Sequence, residues 1–509
     1  MTNFLCRLAP LFALPLVLAL DSPASAQLDW GPYGFKKELL ARDGGNMNHA
    51  GMALSRAGDL AVVAAPRKAL TGVANGQAHV YSRHLGGPNN WGELYKLPSP
   101  TTADGDQYGS AVAISGSLLL VGAPWYEPST LTPDTGIVRF HDAATGASAG
   151  SFAGPDTGQF FNVGRALDTD GTTVVVGSDR RLFVPTVQPF IGAAFLTDNA
   201  GTLSHTLAAS DGGACHNFGM SLAIGGGYCA VGAPEAPGAA PTAGALYVFD
   251  VATGAQLHKL TAPGGTNSSK FGASVSNDAG KLLVGVSNHF LGSGLLGQAY
   301  VFDLTTGALD TQFGPPAGTG GSSFGSRVVL EDGYAYSADL YSSSTYSGRV
   351  WQFDLGYGGA TCEHQDSRSP KVAAFAEHLA VDGTTIFTGS TGEPYSLGFF
   401  GKRGAAFVME RQELGLGKFQ GKLFASLDNA VLAIHGGLAG GPAAFVLTAV
   451  NGAPAFFPHL HGAFNASGKW QNTLPQMPSL AGLTLEITGG GIDQLGGLSF
   501  TNRRVLQFF

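Results

Sequence analysis

FGMSLAIGGGYCAVGAPEAPGAAPTAGALYVFDVATGAQLHKL, residues Phe218 to Leu260, is the stretch whose reading decides the fold. It opens on an aromatic-Gly pair and an alternating apolar run, Ser221 to Ile224. A glycine turn leads to a second run, Tyr228 to Val231, closed by Gly232-Ala233-Pro234. After a loop, Gly244 opens a third run, Ala245 to Phe249; Asp250 to Gly254 turns the chain, and Gln256 to Leu260 extends again. Side chains alternate between the faces of a strand, β-branched and aromatic residues fill such faces, and Gly, Pro and Asp punctuate them. The stretch therefore predicts four short antiparallel strands in a meander.

Its parts recur along the chain. The key small residue of each copy falls at Gly51, Gly109, Gly164, Gly219, Gly272, Gly325 and Ala376, at intervals of 58, 55, 55, 53, 53 and 51. The third copy is weaker and the last, from Phe375, is degenerate. Units of this size with four strands each predict propeller blades. One such sheet cannot bury both faces alone, whereas a ring of sheets buries them against one another. Small residues on the inner strands let neighbouring sheets approach near the axis. Aromatics on the third strands, such as Tyr247 and Phe249 or Tyr300 and Phe302, are expected to fill the wedge between blades with alternate members of each pair.

Ring closure is also legible. Extended stretches like Glu93 to Leu97 precede most aromatic-Gly pairs, and Phe35 to Leu40 precedes the first. Nothing similar follows the last third strand at Phe407. The N-terminal stretch is thus expected to complete the seventh blade as its outer strand, removing the open edge.

The fold class predicted is all-β: a seven-bladed β-propeller over residues 27–412, followed by a small β-sandwich-like C-terminal domain over 413–509. The tail alternates at Ala430 to His435, Ala443 to Val450, Leu483 to Ile487 and Val505 to Phe508. A sandwich or a cap packed on the propeller both fit that pattern. Residues 1–26 predict a signal peptide: Arg7 supplies the charge, Leu8 to Leu20 the apolar run, and Ala24-Ser25-Ala26 the cleavage site. The run is short for a bilayer span, so no membrane span is expected after cleavage. The predicted location is secreted, or on the extracellular cell surface.

Charged residues make up 13% of the chain, glycine 76 of 509 residues, and the net charge is −8. That composition suits a turn-rich β protein and excludes a disordered chain. Without a basic cluster it also excludes nucleic acid as a partner. Cys215, Cys229 and Cys362 follow the leader. Cys215 and Cys229 could bridge across a hairpin, or act as small buried hydrophobes.

The aromatic-Gly starts, with Gly122-Ala123-Pro124 and Gly232-Ala233-Pro234, resemble the FG-GAP repeats of the integrin α-subunit propeller, and more closely their short bacterial form. The resemblance covers about residues 35–410. It implies a seven-bladed propeller that works in adhesion or binding at the cell exterior. Integrin-type repeats often carry a calcium loop between the first two strands. Here those turns are short, and Asp168-Thr169-Asp170-Gly171 alone spaces two carboxylates suitably. Calcium takes six to eight oxygens, more than this turn offers, so an Asp-Gly hairpin is expected instead. In the tail, Pro478 to Leu485 and Gly497 to Asn502 resemble a C-terminal module of secreted planctomycete-type proteins.

No catalytic signature emerges, and no cofactor, metal or catalytic residue is predicted. Phe249 to Gly254 and Phe302 to Gly307 share Phe-Asp-x-x-Thr-Gly, with His141 to Gly146 as a relative. Repeated at one place, these predict turn chemistry. His459 and His461 lack a recognisable third metal ligand. Glu377 and Asp382 are carboxylates of the kind a glycosidase needs, but nothing in the sequence pairs them. The expected function is non-catalytic binding of an extracellular protein or glycan. Loops between second and third strands (125–134, 180–190 and 339–347) would form the working rim. A carbohydrate-active hydrolase or lyase at the axial mouth is the alternative, and a structural envelope protein a third.

Overall fold

The computed structural model describes residues 33–39, 50–66, 76–87, 90–100, 105–128, 135–155, 160–181, 192–211, 217–287, 297–315, 323–342, 347–355, 359–365, 376–382, 385–394 and 402–411. Farther along it describes strands within 430–507. The chain divides into two compact units, Tyr33–Arg411 and the remainder. Residues 1–26, expected as a signal peptide, lie outside the described residues, as does Cys215.

Tyr33–Arg411 forms seven four-stranded antiparallel sheets. Blade one comprises Ala53–Ala57, Leu60–Ala65, Gln77–Ser82 and Gly92–Pro98, from inner to outer strand. Blade two comprises Ala111–Ser115, Leu118–Ala123, Ile137–Asp142 and Ser148–Phe152; blade three, Ala166–Thr169, Thr173–Ser178, Ala193–Asp198 and Leu203–Leu207. Blade four is the stretch that opened the sequence reading: Ser221–Gly225, Tyr228–Ala233, Ala245–Asp250 and Gln256–Leu260. Blade five has Ser274–Asp278, Lys281–Val286, Gln298–Asp303 and Leu309–Phe313; blade six, Phe324–Glu331, Tyr334–Ser342, Ser347–Asp354 and Gly359–Gln365. Blade seven takes His378–Asp382, Thr385–Pro394 and Lys402–Arg411 from the end of the unit and Tyr33–Leu39 from its start. The inner strands touch in sequence from one to seven, and the seventh touches the first. The ring is closed.

The closing strand behaves as a true outer strand. In every blade the outer strand carries one bulged residue opposite the same step of the third strand. It is Leu94, Ala149, Ser204, Leu257, Asp310 and Thr361 in blades one to six. In blade seven it is Lys36, between Phe35 and Lys37. A bulge twists a strand and re-aims the side chain beside it. Just past three of these bulges, Tyr95 Oη donates to the Ala143 carbonyl at 2.6 Å, while His205 Nε2 and His258 Nε2 bond the Ala252 and Thr305 carbonyls at 3.1 Å. Each reaches the Asp-x-x-Thr-Gly-type turn of the next blade.

Those turns are built as expected. Asp250 Oδ1 accepts from Thr253 N at 2.8 Å and Thr253 Oγ1 at 2.6 Å, and Asp142 and Asp303 hold Thr145 and Thr306 alike. Gly254 and Gly307 lie directly under His205 and His258, where a Cβ would crowd the imidazole. The motif therefore caps its own turn and seats the preceding blade.

An apolar cluster fills each space between blades. Between blades three and four, Val175, Leu196 and Leu207 meet Phe218, Tyr247 and Phe249. The two members of an aromatic pair stand at i and i+2, so they share one face. This corrects the expectation that alternate members fill the wedge: both Tyr247 and Phe249 do, edge-on to Phe218 at 5.6 and 6.0 Å. Leu246 and Val248 serve the opposite face, against blade five. At the closure, Leu39, Phe387, Ala406 and Val408 of blade seven meet Ala61, Val63, Tyr81 and Trp91 of blade one.

The second unit contains a sheet ordered Ala453–Ala463, Pro442–Val450, Thr484–Ile492, Leu498–Phe500, with Arg504–Gln507 also paired to Thr484–Ile492. Ala430–Ile434 pairs separately with Trp470–Leu474. The strand Ala453–Ala463 is not among the alternating runs of the tail, because Pro454 and Pro458 interrupt its pattern, although His459 and His461 have the spacing of one strand face. His459 and His461 lie on it, with side chains outside the described residues.

Candidate functional site

The inner strands begin at one mouth of the propeller, where the second strands end. At that mouth, residues that directly precede inner strands (Met52, Ser110, Arg165) meet residues that directly follow second strands (Pro124, Trp125, Asp179) around a cleft of ≈ 230 Å³. Gln107 and Asn162, from the connections into blades two and three, complete it. All come from blades one to three. The local backbone is special: Gln107 and Asn162 have φ of 52° and 61°, and Gly109 and Gly164, two residues on, have φ of 95° and 88°. Two left-handed residues flanking a buried apolar residue, Tyr108 in one turn and Val163 in the other, turn the chain from the outer strand of one blade into the inner strand of the next. Gly supplies one such residue at no steric cost, which explains the aromatic-Gly signature.

The cleft has a rigid polar edge. Asn162 Nδ2 donates to Asp179 Oδ1 at 2.9 Å, and Arg165 Nε lies 3.6 Å from Asp179 Oδ2. Ser110 Oγ donates to the Gln107 carbonyl at 2.9 Å. Trp125 is 39% exposed. It belongs to the loop 125–134 expected on the working rim, of which 129–134 lies outside the described residues, as does most of 180–190. The third loop, 339–347, is largely strand: the hairpin of blade six is prolonged until Ser342 faces Ser347.

Arg165 of blade three also neighbours Arg327 of blade six and His378 of blade seven, and Glu377 neighbours Arg327. All four side chains are half-buried. A bulge places Arg327: Phe324 faces Asp339 and Arg327 faces Ala338, so Gly325 and Ser326 loop out between them. Burial pulls the Arg327 guanidinium below its ordinary value, with Glu377 opposing and Arg165 adding to the effect. Burial also holds His378 well below the usual imidazole range, reinforced by the positive charges of Arg327 and Arg165. His378 is therefore neutral at pH 7, able to donate from one ring nitrogen and accept at the other.

The other mouth differs. Arg56 forms an ion pair with Asp382 of blade seven. Burial pushes the Arg56 guanidinium down to about 10, against the attraction of Glu331. Glu377 and Asp382 thus stand at opposite ends of one inner strand, roughly 17 Å apart by strand rise. They do not flank a common bond.

Asp168 and Asp170 also part company. Asp170 Oδ1 accepts from Thr172 N at 2.9 Å and Thr173 N at 2.8 Å, the expected hairpin turn. Asp168 instead belongs to the inner strand and reaches the next blade, where its Oδ2 accepts from Ile224 N at 2.8 Å. Ser55 Oγ and Ser276 Oγ accept likewise from Ile114 N and Leu330 N at 3.1 and 3.0 Å. The strand edge facing the axis is thus stitched from blade one to two, three to four and five to six. Burial foremost raises the Asp168 carboxyl to about 6, although its two backbone donors work the other way. Among the described residues, no group of His, Cys, Asp and Glu gathers as a metal site requires. Cys229 is a free thiol, fully buried at the interface of blades three and four, so it makes no bridge with Cys215. Burial, then the nearby Asp168, raises its pKa and leaves it inert.

A family model described as the FG-GAP repeat matches residues 91–133 and 202–249. Each segment starts at an outer strand and runs through an aromatic-Gly turn into the next blade. No curated protein matches the chain. Among solved structures, it is similar to a europium-containing methanol dehydrogenase, with 10% identity and a TM-score of 0.40 over 74% of this chain and 93% of that one. It is similar also to the β-propeller domain of the trilobed protease from Pyrococcus furiosus, with 11% identity and a TM-score of 0.42 over 76% of this chain and 98% of that one. Both matched segments lie inside a ring of seven like blades, so the chain carries FG-GAP-type repeats at two places in a seven-bladed β-propeller.

Proposed function

We propose that the chain is an exported binding protein that engages an extracellular protein or glycan with the mouth formed by the starts of its inner strands. The observation that carries this reading is the cleft at that mouth, where a solvent-facing Trp125 stands beside the Asn162–Asp179–Arg165 network. Apolar surface beside a few fixed polar groups is what recognition sites use. The leader pattern at residues 1–26 supports export, and the FG-GAP repeats support a role outside the cell. The test is capture on arrays of glycans and extracellular proteins by the full chain. Specific capture that weakens when Trp125 is replaced by Ala is the expected result. Capture of nothing on either array contradicts the reading.

A second reading, a hydrolase or lyase acting at the axial mouth, is favoured by one specific observation. A neutral His378 stands beside Arg327 and Arg165, with Glu377 next to Arg327. Such a set can move a proton and stabilise negative charge. Turnover of polysaccharide substrates that disappears in His378→Ala and Glu377→Gln, with folding intact, would establish it. Equal turnover in those variants would remove it.

A further inference from the structure

We infer that the cleft between blades one, two and three holds a single pyranose ring of a neutral glycan, stacked on Trp125 and hydrogen-bonded along the Asn162–Asp179–Arg165 edge. This rests on the binding reading above and names its ligand class.

Size comes first. A cleft of ≈ 230 Å³ falls below the range of about 300–1,000 Å³ that holds drug-sized ligands, so it suits one ring rather than an extended segment. Shape and chemistry follow. Trp125 offers a flat apolar face, and one face of a pyranose is a patch of C–H groups that such a face covers well. Beside it, Asp179 is an acceptor, Arg165 a donor, and Asn162 and Gln107 carry amides with both functions. Neighbouring ring hydroxyls, each a donor and an acceptor, satisfy such a mixed set. Asn162 and Arg165 already hold the Asp179 carboxylate, so little side-chain freedom remains to be lost on binding.

Charge decides between neutral and acidic sugars. Arg165 and Asp179 are the charged residues of the lining and they face each other. A carboxylate ligand would find no uncompensated cation there. A peptide added as a strand would need an open sheet edge, whereas connection and turn residues line this cleft.

The experiment is saturation-transfer NMR on the full chain with the methyl glycosides of glucose, galactose, mannose and xylose at millimolar concentration. Transfer to the ring protons of at least one glycoside is expected. It should weaken at least tenfold in Trp125→Ala and stay unchanged in Leu257→Ala, a change at an exposed outer-strand position far from the cleft. No transfer from any of the four, or transfer undiminished in Trp125→Ala, overturns the assignment. Protein ligands captured on the arrays without glycoside binding would sink the sugar and leave the wider binding reading standing. Empty arrays would sink that reading itself.

Discussion

Gly389, on the second strand of blade seven, packs against the carbonyl oxygen of Gly51 at the start of blade one, leaving no room for a Cβ. The same contact joins Gly122 to Gly164, Gly177 to Gly219, Gly232 to Gly272 and Gly285 to Gly325. Blade one carries Ala64 in this place, and its Cβ lies against Gly109. Gly389→Ala would therefore push apart the blades that close the ring. Overpacking of this kind costs about 1–3 kcal/mol. Chemical denaturation should show a lowered midpoint with an unchanged slope, while Gly226→Ala, in an open turn, serves as the comparison for backbone strain alone.

Trp91 is the largest residue at the closure. It is fully buried, edge-on to Phe387 at 4.8 Å and 87°. Trp91→Ala should cost about 3–5 kcal/mol, because the rigid sheets on either side cannot collapse into the space. Thermal unfolding measures it. A loss below about 1 kcal/mol would mean that blades seven and one do not share a core.

Asp168 gives a pH dependence of defined sign. Its folded carboxyl sits near 6, above the ordinary 3.8, so the native state holds the proton more tightly than the unfolded chain. Stability from this group is therefore full below about pH 4 and falls as the pH rises through 6, by on the order of 3 kcal/mol. Asp168→Asn removes that slope. Wild type and variant should diverge between pH 4 and 6, the variant being favoured on the alkaline side. Asp168→Ala should be weaker than Asn at every pH, because the Ile224 N–H loses its acceptor. Parallel curves for wild type and Asn would refute this.

Asp303 predicts the opposite slope. Backbone donation from Thr306 foremost, then Lys281, holds its carboxyl down to about 2. Its contribution is present above about pH 4 and is lost as the pH falls towards 2. Melting wild type and Asp303→Asn across that window should bring the two curves together at the acid end.

The fold was legible because each local rule repeats at one period. The aromatic-Gly turn needs two left-handed residues, the Asp-x-x-Thr-Gly turn caps itself, and both recur in step. Even the N-terminal strand was readable, since Phe407 has no following outer strand in sequence. The outer-strand bulges were not, because Leu94 or Leu257 looks like any other strand residue until its register is known. Asp168 was misplaced for a related reason: beside Asp170-Gly171 it looks like part of a turn, and its partner Ile224 is a blade away. The arginine–histidine–glutamate cluster left no signal either. Arg165, Arg327, Glu377 and His378 come from three blades, and only the closing of the ring brings them together. Trp125 was legible as part of a variable loop, but Asn162 and Asp179 were not, since each looks like an ordinary connection residue.

Closure by the N-terminal strand is tested most directly by hydrogen–deuterium exchange on the full chain and on one lacking residues 27–39. Strand Lys402–Arg411 pairs with Tyr33–Leu39 along its outer edge from Ala406 to Arg411, the stretch whose protection the test reads. In the full chain its amides should exchange as slowly as those of Ala245–Asp250 in blade four. In the shortened chain, protection should collapse from Ala406 to Arg411 and persist in blade four. Equal protection of that stretch in both chains would contradict the closed ring described here.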